Sequence, residues 1–417
     1  MYIKQITLEN IRSVKRFEMK FKRQAGWHVL IGDNGSGKST IIRAAALALL
    51  GEDSAKALEA FEDFSNWLPP DNTEATINIT GIRDKNFDKP ANRKADFVSE
   101  IKIKRNGKVN VTGVVKPQNA LWGDGALSGW FFAAYGPFRR LRGGESTFAH
   151  IQNTRPRIGA CLTAFRDDVA LTQLTAWLKD LALDSGKSKS GKTNKAKNKL
   201  QGIIEFINSA ELLPGGAQLL NDIDSDGVKL IDRNGVKVSL YDMSDGYRSI
   251  LSMTLDILRF MLETFDTNIV FSGGKEQTHI QIPGIVFIDE VDAHLHPTWQ
   301  TEIGQWFTRY FPNIQFIVTT HSPIICRACG DQGHIWRLNA EHSGEVIGQD
   351  KNRLIYGNVL DAFGTEVFGQ AVEISKDANI KLSRLGELNV KSMMGKLSGA
   401  AEKREYDQLK AIFLTKL

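Results

Sequence analysis

The stretch Trp27-His28-Val29-Leu30-Ile31-Gly32-Asp33-Asn34-Gly35-Ser36-Gly37-Lys38-Ser39-Thr40 decides how the whole chain is read. Residues 27–31 form the apolar run expected of a buried parallel strand. Residues 32–39 match GxxxxGKS, and a helix is predicted over Ser39 to Leu50. A glycine-rich turn lets backbone N–H groups wrap phosphates. The lysine reaches the β and γ oxygens, and the hydroxyl binds Mg²⁺. The pattern has the strand before it and the helix after it that this chemistry requires. A site for ATP or GTP follows.

The second half of such a site lies far downstream. Gly284-Ile285-Val286-Phe287-Ile288-Asp289-Glu290 reads as a buried strand ending in two carboxylates. Asp289 would organise the Mg²⁺ shell, and Glu290 would polarise the attacking water as general base. Ser244 stands where it can cap the predicted helix Tyr247 to Phe265, and Gly246 permits close backbone approach, so that N-terminus is a candidate anion site. Gln315 to Thr319 is another buried strand, delivering His321 to the edge where ligands bind in parallel sheets.

A second match to the phosphate-loop pattern, Gly186 to Thr193, lacks a preceding strand. It lies in DSGKSKSGKTNKAKNK, residues 184–199, which has no large apolar residue and reads as a disordered loop. Its six lysines, Lys187, Lys189, Lys192, Lys195, Lys197 and Lys199, account for more than the net charge of +5 and leave the rest of the chain at −1. That balance argues against a general nucleic-acid-coating surface.

Elsewhere the chain reads as strands at 2–8, 17–21, 75–81, 97–105 and 108–115. Turns Asn106-Gly107 and Arg233-Asn234-Gly235 mark two hairpins, and 160–183 and 199–213 look helical. The 417 residues are 42% hydrophobic, enough for a sizeable core. Three cysteines exclude a disulfide scaffold. No apolar run approaches the ~18 residues that span a bilayer, and the start reads as a strand and not a signal peptide. A cytoplasmic protein with no membrane partner is expected.

Together these residues resemble the ABC-class ATPases. The resemblance implies Gly32, Asn34, Gly35, Ser36, Gly37, Lys38, Ser39 and Thr40 as Walker A. It implies Ser244, Asp245 and Gly246 as the signature, Asp289 and Glu290 as Walker B, Asp292 as the D-loop and His321 as the switch histidine. Ser39 and Asp289 would hold Mg²⁺; Glu290, Lys38 and His321 would act on the γ-phosphate. The family pattern further implies a homodimer with two ATPs sandwiched between subunits, each signature completing the partner's site. The opening LENIRSVKRFEMKF and DEVDAHLHPTWQ are similar to the SMC, RecF and OLD branch, where Arg12 matches an arginine near phosphates. Within it, the chain is similar to stand-alone ATPase subunits of antiphage systems of the Septu and retron type, which act with a separate nuclease.

The implied fold is α/β: a P-loop ABC-type head with a mixed β-sheet, an antiparallel β subdomain, a helical insertion and a C-terminal helical extension. The expected division is an ATPase domain over 1–350, with an insertion about 53–225, and an extension over 351–417 that offers a docking region. The expected activity is MgATP hydrolysis that governs an effector, with higher oligomers and nucleic acid left open as partners. The alternative is an ATP-dependent DNA repair or recombination protein of RecF or SMC type; a transporter subunit ranks last on motif spacing. Arg139, Arg140 and Arg142 read either as a solvated basic turn or as a cluster that binds ATP phosphates, a partner or nucleic acid. Cys326 and Cys329 read as the start of a helix, not a zinc site, and Arg337 to His342 as a hairpin.

Overall fold

The computed structural model describes residues 1–89, 96–118, 120–121, 129–139, 151, 154–167, 169, 172–186, 191–213, 216–224, 227–232, 234–272, 279–338, 343–357, 376–394 and 399–413. Among them, no helix is long and apolar enough to cross a membrane. The chain divides into two compact units, Met1–Tyr356 and Gly357–Leu417.

The first unit holds three sheets. Strands β1 (Tyr2–Ile11), β2 (Val14–Lys20), β4 (Glu74–Ile82), β5 (Asp96–Asn106) and β6 (Lys108–Lys116) form an antiparallel sheet in the order β2-β1-β4-β5-β6. Apolar residues alternate along β4 and β5, and that face is buried. Strands β4 to β6, expected within the insertion, thus complete the N-terminal sheet. A small antiparallel sheet joins β8 (Gln218–Asp224), β9 (Gly227–Ile231) and β10 (Lys237–Ser239).

The third sheet contains β3 (Gly26–Gly32), β7 (Phe132–Tyr135), β11 (Gly284–Ile288), β12 (Ile314–Thr320), β13 (Ile335–Leu338) and β14 (Gly344–Glu345). Its order is β14-β13-β3-β12-β11-β7, parallel throughout except for the β13–β14 pair. Strands β7, β11 and β12 are buried at every residue, which is why their sequences are largely apolar.

Helix α1 (Lys38–Leu50) contacts strands of both large sheets. Its run Ala44 to Leu50 is fully buried, because a helix covered on both sides has no polar face to offer. The Gln315 side chain ties the sheets together: its Oε1 accepts from Ile3 N at 2.7 Å, and its Nε2 donates to Ile3 O at 3.0 Å. Helix α2 (Glu52–Leu58) follows α1 directly.

Helices α3 (Thr172–Gly186) and α4 (Gly191–Ser209) pack on each other. The loop expected over 184–199 is therefore corrected at 184–186 and 191–199, where the chain is helical; residues 187–190 lie outside the described residues. Leu200, Ile203, Phe206 and Ile207 anchor the apolar second half of α4, and the polar half propagates from it. Ala196 is buried, and Lys199 Nζ donates to Leu262 O at 3.0 Å. Helices α5 (Asp245–Thr264), α6 (Pro297–Tyr310) and α7 (Gly348–Tyr356) complete the unit. Leu354 and Ile355 of α7 are buried and Lys351 donates to Asp331 O and Gly333 O, so the first unit runs past residue 350.

Cys326 and Cys329 are buried in a 3-10 turn, Pro323–Cys329, and Cys329 Sγ donates to His334 O at 3.6 Å. The Arg337 hairpin forms as β13–β14, with His342 outside the described residues. The second unit contains α8 (Lys376–Met393) and α9 (Gly399–Phe413), with Leu385, Leu388 and Leu409 buried and Tyr406 packed on them. Arg384 pairs with Glu405, and Lys391 with Glu402.

Candidate functional site

Strands β3, β12 and β11 are adjacent and parallel, so their carboxyl ends open on one edge. The register pairs Ile31 with Thr320 and Val318 with Ile288. One step further sets the phosphate loop, His321 and Asp289–Glu290 side by side, although the loop lies about 250 residues before the acids and about 280 before the histidine.

The loop is built on close backbone approach. A Cβ on Gly32 would sit 2.1 Å from Leu338 O, and one on Gly37 would sit 2.6 Å from Val14 Cγ2. Gly37 also takes φ 95° at the N-cap of α1, a conformation open to glycine. Lys38 is the first residue of α1 and only 6% exposed. Its Nζ donates to the loop's own carbonyls, Gly32 O at 2.7 Å and Asp33 O at 2.9 Å. Burial lowers its pKa, while Asp289, Glu290, Asp33 and Asp292 act in the opposite direction. Ser36 Oγ is buried with no hydrogen-bond partner among the described residues. An unsatisfied hydroxyl, a helix N-terminus and an ammonium in one glycine-rich loop fit a chain of phosphates. Ser39, next to Lys38 in α1, and the buried acid Asp289 carry the oxygen donors that suit Mg²⁺.

Two hydroxyls on β12 order the acids. Thr319 Oγ1 donates to Asp289 Oδ1 and accepts from Glu290 N at 2.7 Å. Thr320 Oγ1 donates to Asp292 Oδ1. Glu290 is half-buried and takes φ 45°, the left-handed region, at a cost of about 1–3 kcal/mol that these contacts must offset. His321 is exposed one residue beyond β12.

Ser244, Asp245 and Gly246, expected as the signature, lie at the start of α5. Ser244 is the N-cap residue of α5, but its hydroxyl makes no cap hydrogen bond; it is exposed, where water competes for it. Asp245 pairs with Arg248. A Cβ on Gly246 would lie 2.7 Å from His294 O, so α5 touches the turn after Glu290. Tyr247 meets Trp299 edge to face, with ring centroids 5.6 Å apart. Arg12, implied to lie near phosphates, pairs with Glu62 at 2.9 Å and lies over the Trp67 ring. A cleft of about 500 Å³ opens beside the loop, lined among others by Val14, Lys15, Arg16, Asn34, Ser36 and Leu338.

Arg139 is neither solvated nor turned outward to phosphates, a partner or nucleic acid. It is buried; its Nε donates to Ser249 Oγ, and its terminal nitrogens donate to the carbonyls of Gly136, Asp289 and Glu290. Burial pushes its pKa down to about 10, which leaves it charged at neutral pH. Arg140 and Arg142 lie outside the described residues. Thr319, Thr320 and Ser249 were missed in sequence. The hydroxyl pair ending a strand beside the acidic one was the available signal for the threonines.

Residues 5–221 match the family model described as an AAA domain, and residues 172–327 match one described as AAA domain, putative AbiEii toxin, Type IV TA system. The chain is similar to a Septu protein PtuA of Bacillus mycoides (strain KBAB4), 25% identical over 79% of this chain and 39% of that protein. It is also similar to a retron Ec83 probable ATPase of Escherichia coli, 41% identical over 26% of this chain and 18% of that one. The chain thus spans well under half the length of these relatives. Among solved structures, an SMC head bound to the C-winged helix domain of ScpA aligns at TM-score 0.48 and 18% identity, over 84% of this chain and 99% of that chain.

Proposed function

The chain belongs to the AAA-domain family whose model matches residues 5–221, and from that premise we propose that it is an ATP hydrolase whose nucleotide state governs an effector protein. The observation that carries this reading is the single sheet edge holding Lys38, Asp289 and Glu290, with Lys38 within the field of both acids. Gly32 to Thr40 would cradle the phosphates, and the cleft lined by Val14 and Lys15 would take the base and ribose. Mg²⁺, held by Ser39 and Asp289, would supply positive charge against the phosphate oxygens. Lys38 would trade its loop carbonyls for phosphate oxygens. Glu290 would orient water and take its proton, and His321 would stand by the γ-phosphate.

Ser244 and Asp245 are exposed at a helix N-terminus, which supports a role for them toward the nucleotide of a second copy. We place the dimer and its effector in antiphage defence, with a nuclease as the partner, by likeness to the Septu and retron relatives. The test is phosphate release from ATP with and without Mg²⁺, together with molar mass by light scattering. The expected result is Mg²⁺-dependent turnover and an ATP-dependent doubling of mass. Absence of nucleotide binding sinks the reading. Tight, ATP-dependent DNA binding with no partner protein favours the repair-type alternative.

A further inference from the structure

We propose that Arg139 is a positioning residue that couples the start of α5 to Glu290, so that contacts made at Ser244–Gly246 set the hydrolytic competence of the same chain's site. This rests on the ATPase reading above.

The guanidinium has five N–H donors in a fixed plane. Four are committed: Nε to Ser249 Oγ at 3.0 Å, two to Gly136 O and Asp289 O at 3.0 Å each, and one to Glu290 O at 3.2 Å. With only 6% of the residue exposed, it is internal wiring and not a phosphate clamp. Ser249 lies three residues past Gly246 on α5, so one end of the wire is the helix that begins at the signature. The other end grips the carbonyls on both sides of the Asp289–Glu290 junction.

Glu290 is held in its left-handed backbone from two directions: Arg139 takes its carbonyl, and Thr319 Oγ1 takes its N–H. Such a conformation persists only where its surroundings over-determine it. A second polar tie runs alongside. Tyr135 OH donates to Asp256 Oδ2 at 3.1 Å, and Tyr135 O accepts from Asp289 N at 2.8 Å. Asp256 stands seven residues after Ser249, two turns along the same face of α5. Displacing the start of α5 therefore pulls on the backbone that aims Glu290. A lysine at 139 could not do this, since one ammonium cannot span four acceptors in a plane.

The test compares wild type with Ser249→Ala, Arg139→Lys and Arg139→Ala, measuring kcat, ATP affinity by equilibrium binding, and melting temperature. Losing one hydrogen bond to a charged group is expected to lower kcat of Ser249→Ala by about tenfold, with ATP affinity within about twofold of wild type and a melting temperature lowered by no more than a few degrees, so that the protein stays folded at the assay temperature. Arg139→Lys is expected to lose more kcat than Ser249→Ala, and added guanidinium at millimolar concentration is expected to restore turnover to Arg139→Ala. Wild-type kcat in both Ser249→Ala and Arg139→Lys overturns the proposal. So does a loss of affinity that matches the loss of kcat. A wild-type chain that binds ATP but never hydrolyses it overturns the ATPase reading itself.

Discussion

Residues 32–39 and 186–193 spell the same phosphate-loop pattern, and both run into a helix: α1 begins at Lys38 and α4 at Gly191. What comes before differs. The first loop leaves β3, a buried strand in the middle of a parallel sheet, whereas the second follows α3, which is helical up to Gly186. A Cβ on Gly32, the first glycine of the first match, would lie 2.1 Å from Leu338 O; one on Gly186, its counterpart, would meet nothing within 4 Å among the described residues. A helix N-terminus and lysines alone bring no carboxylate to a loop. The strand is decisive, because neighbouring parallel strands then deliver carboxylates to the same edge.

The largest effect should come from the group that only the first loop faces. Glu290→Gln keeps size and hydrogen bonding but removes the proton acceptor. Turnover is expected to fall by about 10²–10⁴-fold, the usual contribution of general base catalysis, while ATP binding persists. Stopped-flow or coupled phosphate assays on both proteins check this. Unchanged turnover would break the link between the first loop and the β11 acids.

Next come the two lysines. Lys38→Ala removes a buried ammonium, and a charged hydrogen bond is worth about 1.5–3 kcal/mol, so ATP affinity should fall by about 10–100-fold. Lys192→Ala should leave it unchanged. Equilibrium binding of a fluorescent ATP analogue measures both, and the reverse ranking would show that the wrong loop had been chosen.

The contrast also explains what could be read in advance. Strands β3, β11 and β12 are covered on both faces, so their sequences are largely apolar, and the loop and acids at their ends were legible. Their order β3-β12-β11 was not, because it joins segments hundreds of residues apart by backbone pairing that carries no side-chain signature. Arg139 was ambiguous for a related reason. An arginine in a basic cluster looks the same whether water or four buried acceptors surround it, and two of its acceptors belong to residues about 150 positions away. The lysine-rich stretch misled in the opposite direction: its helix draws on Leu200, Ile203 and Phe206, which follow it, so a window over 184–199 holds no periodic signal.

The smallest effects test the backbone itself, through the first glycine of each match. In Gly32→Ala the new methyl would fall 2.1 Å from Leu338 O and 2.9 Å from Ser36 Oγ. Leu338 sits in β13, paired in register with Gly32, so its carbonyl cannot yield without distorting the sheet. A loss of about 1–3 kcal/mol, typical of overpacking, is expected in denaturant unfolding. Gly186→Ala adds the same methyl to the last residue of α3, where it meets nothing within 4 Å among the described residues. Replacing a helical glycine should change stability by no more than about 1 kcal/mol, in the stabilising direction. Equal destabilisation by the two substitutions would mean that the second glycine is as tightly enclosed as the first, and the distinction between strand-fed and helix-fed loops would fail at its simplest point.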